Sequence, residues 1–337
     1  MSHTVNIKQF DQPLVVPEGE TILEAALEAG LDYPFGCQSG ACGSCKSILL
    51  SGEVELREYQ PFVLSDEEIE AGYTLACQAE CKTDVEIAYM DPDEPANHLH
   101  RSLDTVVESV EQVTHDIKVV RITIPGGLDY QFTPGQFSQV TFEGLPGRDY
   151  SMANQPGESV VEFHIREVPD GNVSRHVANN LAVGDKVSVK GPYGVSYLRT
   201  KHRGPIIAAG GGSGLAPIKS IVEKALAENL PQPIHFYFGV RDEEDLYLED
   251  HFNALAEKHE NFTFTPVLSN PTGETSRRTG FVHDVLNADF DDFDGCKAYL
   301  AGPPIMVDSC VEIVCKKGLR IEDVHADPFT TEADKAK

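Results

Sequence analysis

Positive charge is scarce in this 337-residue chain: 27 lysines and arginines stand against 54 aspartates and glutamates, a formal net charge of −27. The deficit is steepest at the front, where residues 1–95 hold 19 acidic and 4 basic side chains. Nucleic acid and anionic membrane surfaces attract basic proteins, so neither is an expected partner. Two readings of the acidity stay open: a docking face for a basic protein partner, or solubility in a salty cytoplasm. No apolar run approaches the ~20 residues of a membrane-spanning helix, and MSHTVNIKQF lacks the pattern of a secretory signal. Eight cysteines without such a signal point to a reducing cytoplasm and to metal or redox use rather than disulfides. G-x-S-x-G and H-E-x-x-H are also missing, which removes two common hydrolase signatures.

What is present begins with GCQSGACGSCKS, residues 36–47. Cys37, Cys42 and Cys45 are spaced C-x4-C-x2-C, and Cys77 follows after 31 intervening residues. This is plant-type spacing for a [2Fe–2S] cluster, in which four thiolates hold two irons. Gly36, Gly40 and Gly43 are expected to take positive φ and let backbone N–H groups reach the sulfurs. Zinc is the rival for four cysteines, but zinc sites usually pair two short hooks, and here three ligands share one loop. Cys81, four residues past Cys77, competes for the fourth place; LACQ favours Cys77, leaving Cys81 as a core or strand residue.

Around that loop, TVNIKQF and PLVVPEG read as strands and GETILEAALEAGL as an amphipathic helix. SILLSGEVEL reads as a strand turning at Ser51–Gly52, and LSDEEIEAGYTLACQ as a short acidic helix leading to Cys77. This order resembles a plant-type ferredoxin, a β-grasp, over residues 3–90. MDPDEPANHLHR is polar with two prolines and reads as a linker, with His98 and His100 solvated rather than ligands.

From 102 to 199 the chain alternates β-branched runs with Gly/Pro turns, which predicts a small antiparallel barrel. Arg148-Asp149-Tyr150-Ser151 combines an aromatic, a guanidinium and a hydroxyl, a set able to stack on a flat ring and grip a phosphate. Gly171-Asn172-Val173-Ser174 opens a short helix whose start makes an anion seat. In this order, with GQF before and GPYG after, these groups resemble the flavin barrel of the ferredoxin–NADP reductase superfamily. The resemblance implies that Arg148 contacts flavin phosphate, Tyr150 packs on the isoalloxazine and Ser151 lies near its reactive nitrogen. His164, Ile165 and Arg166 would line the flavin site, and Gly171, Val173 and Ser174 would hold the pyrophosphate, which favours FAD over FMN.

Residues 200–337 alternate strand and helix, which predicts a doubly wound parallel sheet binding ligands at the carboxyl ends of its strands. The turn Gly211-Gly212-Ser213-Gly214 lets a dinucleotide pyrophosphate approach the backbone. It is not G-x-G-x-x-G; it matches the G-G-x-G-x-A-P pattern of the same superfamily. Arg241 ends the next strand, where the adenosine ribose is expected. Asp242, Glu243, Glu244 and Asp245 crowd that loop and repel a 2′-phosphate, which favours NADH over NADPH. Gly302 and Pro303 stand where the family has Cys-Gly-Pro beside the nicotinamide, with Ala301 in place of the cysteine. Phe329 occupies the family's position for an aromatic that covers the flavin; its structural alternative is to close the core. Cys296, Cys310, Cys315, His115, His235 and His325 read as structural.

Taken together, the three parts resemble the single-chain reductase components of bacterial multicomponent oxygenases. RDYSMAN, EFHIREVPDG, GPYGVSYLR, YFGVRDEEDLY and HADPF look most like the naphthalene-type aromatic-ring dioxygenase reductases. The resemblance implies a ferredoxin domain over 1–92, a linker over 93–102, an FAD barrel over 103–199 and an NAD domain over 200–337. It implies electron flow from NADH through FAD to the cluster, with Ser151 and Phe329 assisting hydride transfer. The electrons would pass to a terminal oxygenase or an intermediate ferredoxin. Reductases of soluble di-iron monooxygenases and of deoxysugar biosynthesis share this order, and a free-standing diaphorase or a zinc-stapled interaction protein are the other classes left open.

Overall fold

The computed structural model describes residues 2–90, 94–126 and 130–330. The expected linker, 93–102, begins outside them, as does the tail of the expected NAD domain, 331–337. The chain divides into two compact units, one covering Met1–Pro95 and the other Ala96–Phe329.

In the first unit, β1 (Ser2–Ile7) and β2 (Leu14–Pro17) form an antiparallel hairpin. Helix α1 (Ile22–Glu28) follows; the Thr21 hydroxyl accepts from the Glu24 N–H while the Glu24 carboxylate accepts from the Thr21 N–H, closing a capping box. Its buried Ile22, Leu23, Ala25 and Ala26 give the helix one apolar face. After the cysteine loop come β3 (Lys46–Ser51), β4 (Val54–Leu56), α2 (Asp66–Glu70), β5 (Tyr73–Leu75), β6 (Ala79–Cys81) and β7 (Val85–Tyr89). The main sheet runs β2-β1-β7-β3-β5, with β1 and β7 parallel. Two features depart from expectation. The turn at Ser51–Gly52 does not make a hairpin, because β4 leaves the sheet to pair with β6. And β7, which no local pattern announces, lies in the middle of the sheet between β1 and β3.

The second unit opens with a barrel: β8 (Arg101–Gln112), β9 (Ile117–Thr123), β10 (Phe137–Phe142), β11 (Arg148–Ser151), β12 (Val160–Arg166), α3 (Asn172–Asn179) and β13 (Lys186–Tyr193). The antiparallel order is β11-β10-β13-β8-β9-β12, and a bridge from Met152 to Phe163 joins the two ends. Closure removes the exposed edges that an open sheet would present. Val161, Phe163 and Ile165 of β12 fill the barrel core with Val120, Val140, Phe142 and Val189. By the two-residue period of a strand, Glu162, His164 and Arg166 face outward.

The rest is β14 (Ile206–Gly211), α4 (Leu215–Ala227), β15 (Ile234–Val240), α5 (Glu249–Lys258), β16 (Phe262–Leu268), β17 (Arg278–Thr279), α6 (Val282–Asp289), β18 (Lys297–Gly302), α7 (Pro304–Lys316) and β19 (Val324–Pro328). All six strands are parallel, in the order β17-β16-β15-β14-β18-β19. The chain moves to one side of β14 and then returns to the other, so the switch point lies between β14 and β18. Both strands are buried along their whole length, as covered parallel strands must be. Barrel and sheet are joined within this unit: the Ser220 hydroxyl donates to the Asn154 carbonyl at 2.8 Å and the Lys219 ammonium to the Ala153 carbonyl at 3.0 Å.

Candidate functional site

Cys37, Cys42 and Cys45 lie in the loop between α1 and β3, and Cys77 follows β5; three of the four are buried and Cys42 is half-buried. Backbone N–H groups already aim at the sulfurs: Ser39 and Ala41 donate to Cys37 Sγ at 3.4 and 3.3 Å, Cys37 to Cys42 Sγ at 3.3 Å and Cys77 to Cys45 Sγ at 3.4 Å. Such bonds offset thiolate charge. The donors are not the glycines themselves. Gly40 (φ +73°) is required for the turn, since a Cβ there would fall 2.7 Å from Tyr59, whereas Gly36 does not take the expected positive φ and is needed for space, 3.1 Å from Cys42 Sγ.

The sulfurs interact in two pairs. A hydrogen bond from Cys42 lowers the Cys37 thiol to about 6 against the effect of burial. The Cys42 and Cys45 thiols rise, through their partners Cys37 and Cys77 and through burial. Four thiolates on one zinc at about 2.3 Å would all lie about 3.8 Å apart. Among the described residues, the group whose ligand atoms all fall within 4.8 Å of one another is His115, Asp116 and Asp245, not a set of these cysteines. Two pairs rather than a tight quartet fit two irons. Cys81 sits on β6 with its thiol pushed up to about 11 by burial, and Cys310 in α7 reaches about 12 for the same reason, both inert.

On the barrel, Arg148, Tyr150 and Ser151 come from β11. Arg148 and Tyr150 are half-buried, and the buried Ser151 hydroxyl donates to Asp327 Oδ2 at 2.9 Å. Helix α3 starts at Gly171 with no side-chain cap, so its first N–H groups remain for an anion. Ser174 is turned inward instead: its hydroxyl accepts from the Val168 N–H at 3.0 Å and donates to the Gly171 carbonyl at 3.3 Å. Val173 is buried in the barrel core. These groups, an aromatic, a guanidinium and an uncapped helix start, fit a flavin nucleotide.

The three residues of β12 part company. Ile165 points into the barrel core, while His164 and Arg166 face the nicotinamide sheet. Arg166 Nε donates to Asp116 Oδ2 at 2.7 Å, and its Nη1 stands 3.3 Å from where a Cβ on Gly212 would be. Gly212 itself takes φ +54°. The glycine turn packs backbone to backbone on the end of β18: a Cβ on Gly214 would lie 2.2 Å from the Ala301 carbonyl, and one on Gly302 would lie 2.7 Å from the Gly211 carbonyl. Ser213 lies between them, and Pro303 lies 2.8 Å from the Cβ position of Gly211. The Phe329 N–H donates to the Gly302 carbonyl at 2.8 Å, extending β19 along β18. Arg241 is largely exposed and 4.0 Å from Asp245, while Asp242 accepts from the Thr272 N–H and hydroxyl.

Ser151, Asp327, Gly302, Phe329 and the glycine turn thus belong to one region at the carboxyl ends of β14, β18 and β19. Three residues there or beside it were not singled out in the sequence: Asp327, Glu162 and Tyr247. The segments HADPF, EFHIREVPDG and YFGVRDEEDLY carry them, but nothing in those strings says which side chain meets the barrel or the sheet. His235 bonds Thr263 and His325 stacks on Tyr299, in keeping with structural roles.

Family models match all three parts: a 2Fe-2S iron-sulfur cluster binding domain over residues 5–82, an oxidoreductase FAD-binding domain over 104–197 and an oxidoreductase NAD-binding domain over 209–312. The chain is 38% identical over 311 residues to the ferredoxin–NAD(P)(+) reductase component of the naphthalene 1,2-dioxygenase/salicylate 5-hydroxylase systems of Ralstonia sp., covering 92% of this chain and 94% of that one. The chain belongs to the single-chain reductase components of multicomponent oxygenases. It is also 34% identical to the phenol hydroxylase P5 protein of Acinetobacter pittii, over 100% of this chain and 97% of that one. A cytochrome P450 reductase from Amycolatopsis shares its structure with a TM-score of 0.76 at 33% identity, covering 98% of this chain and 99% of that one. The reductase is therefore an NADH-dependent oxidoreductase with FAD and a [2Fe–2S] cluster, carrying electrons from NADH through the flavin to the cluster. Among the described residues, no helix of the reductase is long and apolar enough to cross a membrane.

Proposed function

We propose that this reductase delivers electrons from NADH to a Rieske-type aromatic-ring dioxygenase, directly or through a ferredoxin. FAD, when bound, supplies the conversion between a two-electron hydride and single electrons, and the cluster supplies a one-electron carrier. Cys37, Cys42, Cys45 and Cys77 hold the cluster, with the Ser39, Ala41, Cys37 and Cys77 N–H groups offsetting its charge. Arg148 and the open start of α3 bind flavin phosphates, and Tyr150 packs on the ring. Gly211, Gly212, Ser213 and Gly214 seat the NADH pyrophosphate, with Arg166 beside Gly212 supplying positive charge to it. Gly302 and Pro303 leave room for the nicotinamide, and Phe329 shields the flavin from water until the nicotinamide arrives.

The acceptor in this reading rests on the 38% identity to the reductase component of the naphthalene 1,2-dioxygenase/salicylate 5-hydroxylase systems, and its hydride step on the bond from Ser151 on the barrel to Asp327 at the carboxyl end of the parallel sheet. That bond supports a flavin seat and a nicotinamide seat within reach of each other, as hydride transfer requires. The acidic run Asp242–Asp245 around the ribose site supports NADH over NADPH. Eight free cysteines and dependence on NADH support a cytoplasmic location. The test is acceptor reduction by the FAD- and iron-loaded protein. A purified Rieske oxygenase or its ferredoxin, reduced faster than a generic dye, supports the reading; equal rates favour a diaphorase. A second acceptor class, the di-iron hydroxylase, follows from the full-length likeness to the phenol hydroxylase protein, and faster reduction of a di-iron hydroxylase would select it.

A further inference from the structure

We propose that Tyr247 latches the glycine turn in its NADH-binding shape and that His164, competing for the same phenol proton, sets how tightly, which makes both positioning residues for hydride transfer. The inference rests on the reading that Gly211–Gly214 seats the NADH pyrophosphate. Tyr247 lies just before α5 and is buried, its ring edge-on to Phe238 with centroids 5.6 Å apart. Its hydroxyl donates to the Gly212 carbonyl at 3.2 Å. The same oxygen lies 3.0 Å from Nδ1 of His164, a fully enclosed side chain on the outer face of β12. One phenol therefore stands between the turn of the sheet and a strand of the barrel, within hydrogen-bond reach of both.

Peptide planarity gives that tie a direction. In a trans peptide C=O and N–H point opposite ways. The Gly212 carbonyl accepts from the Leu215 N–H as the helix begins and from Tyr247. Holding it from two sides fixes the Ser213 N–H, which then projects from the start of α4 toward an incoming anion. Glycine at 212 cannot hold this plane alone, because it adopts positive and negative φ with little preference.

Proton counting gives the latch its play. His164 Nε2 lies 3.2 Å from Glu162 Oε1, whose carboxylate is also gripped by Arg121 and Lys219. Burial would raise that carboxyl, but the His164 hydrogen bond and the nearby cations bring it to about 2. Glu162 is therefore ionised, and the imidazole N–H belongs on Nε2, facing it. Burial holds His164 below its ordinary value despite Glu162, so Nδ1 is an acceptor. Tyr247 then has one proton for two acceptors, Nδ1 and the Gly212 carbonyl, and neither setting strands the carbonyl, which keeps the Leu215 N–H. The turn is held firmly enough to orient and loosely enough to admit a nucleotide.

The test uses the full chain loaded with FAD, with NADH-to-ferricyanide turnover as readout. Tyr247→Phe keeps the ring and removes only the hydroxyl. Loss of one buried hydrogen bond predicts a KM for NADH raised about 5- to 10-fold, with kcat within about twofold and bound FAD unchanged. His164→Leu removes the competing acceptor, leaves the Tyr247 proton on the Gly212 carbonyl and is expected to keep KM at or below the parent's, while His164→Gln, whose amide oxygen still accepts, is expected to keep the parent's KM. An unchanged KM in Tyr247→Phe, or a KM in His164→Leu raised as far as in Tyr247→Phe, overturns the latch. Ser213→Tyr separates the two layers of inference. If it raises KM while Tyr247→Phe does not, only the latch fails; if it leaves KM unchanged, the pyrophosphate seat fails and the latch with it.

Discussion

The Ser151 hydroxyl donates to the Asp327 carboxylate across 2.9 Å, although 176 positions of sequence separate them. One belongs to β11 of the barrel and the other to β19 of the parallel sheet. The bond fixes where the serine hydroxyl points and gives a partly buried carboxylate a donor.

Ser151→Ala is expected to slow flavin reduction by NADH about 10-fold, equivalent to about 1.4 kcal/mol of barrel–sheet alignment, without abolishing it. Hydride transfer needs no side-chain acid or base, so a residual rate remains. Stopped-flow bleaching of the flavin measures it; a rate equal to the parent's removes Ser151 from the assisting residues.

Cys42→Ser is expected to abolish the cluster while NADH-to-dye reduction through FAD continues at roughly the parent rate. Iron and acid-labile sulfide analysis reports the first and dye turnover the second. Loss of dye activity in a folded, FAD-loaded variant would sink the modular route.

Gly214→Ala tests the close approach of the glycine turn to β18. Its Cβ would meet the Ala301 carbonyl at 2.2 Å, a backbone contact that no rotamer relieves. A loss of about 2 kcal/mol in stability, together with a higher KM for NADH, is expected. Gly273→Ala, with nothing within 4 Å of the added atom, serves as the control and is expected to stay within about 0.5 kcal/mol.

Acid should weaken the second unit in two stages. His164 has its pKa lowered from 6.5 by burial, so the unfolded chain takes up a proton first and stability begins to fall below about pH 6.5. Glu162 titrates at about 2 instead of 4.5; its contribution, about 3 kcal/mol, is complete above pH 4.5 and is lost as pH falls toward 2. The stability gap between the parent and Glu162→Gln, measured by urea unfolding, is therefore expected to narrow below about pH 4.5. A gap independent of pH would show that Glu162 is not held ionised by its neighbours.

The chain itself determined the cysteine spacing, the three-part order, the glycine turn and most of the strands and helices. These rest on local rules: ligands carried by one loop, apolar periodicity, and turns that only small residues allow. Folding decided the rest. Strand β7 is only five residues long, and its central place comes from pairing with β1, about 80 residues earlier, and with β3. EFHIREVPDG contains both Ile165 and His164, and the period of two sends them to opposite faces, but which face meets the nicotinamide sheet depends on how the barrel closes. Asp327 and Tyr247 were visible as letters only; each acquires a role because a strand or loop distant in sequence brings a donor or an acceptor within 3 Å of it. Hydrogen bonds act over that short range and carry no mark in the local pattern, so pairs of this kind exist only once the tertiary structure has formed.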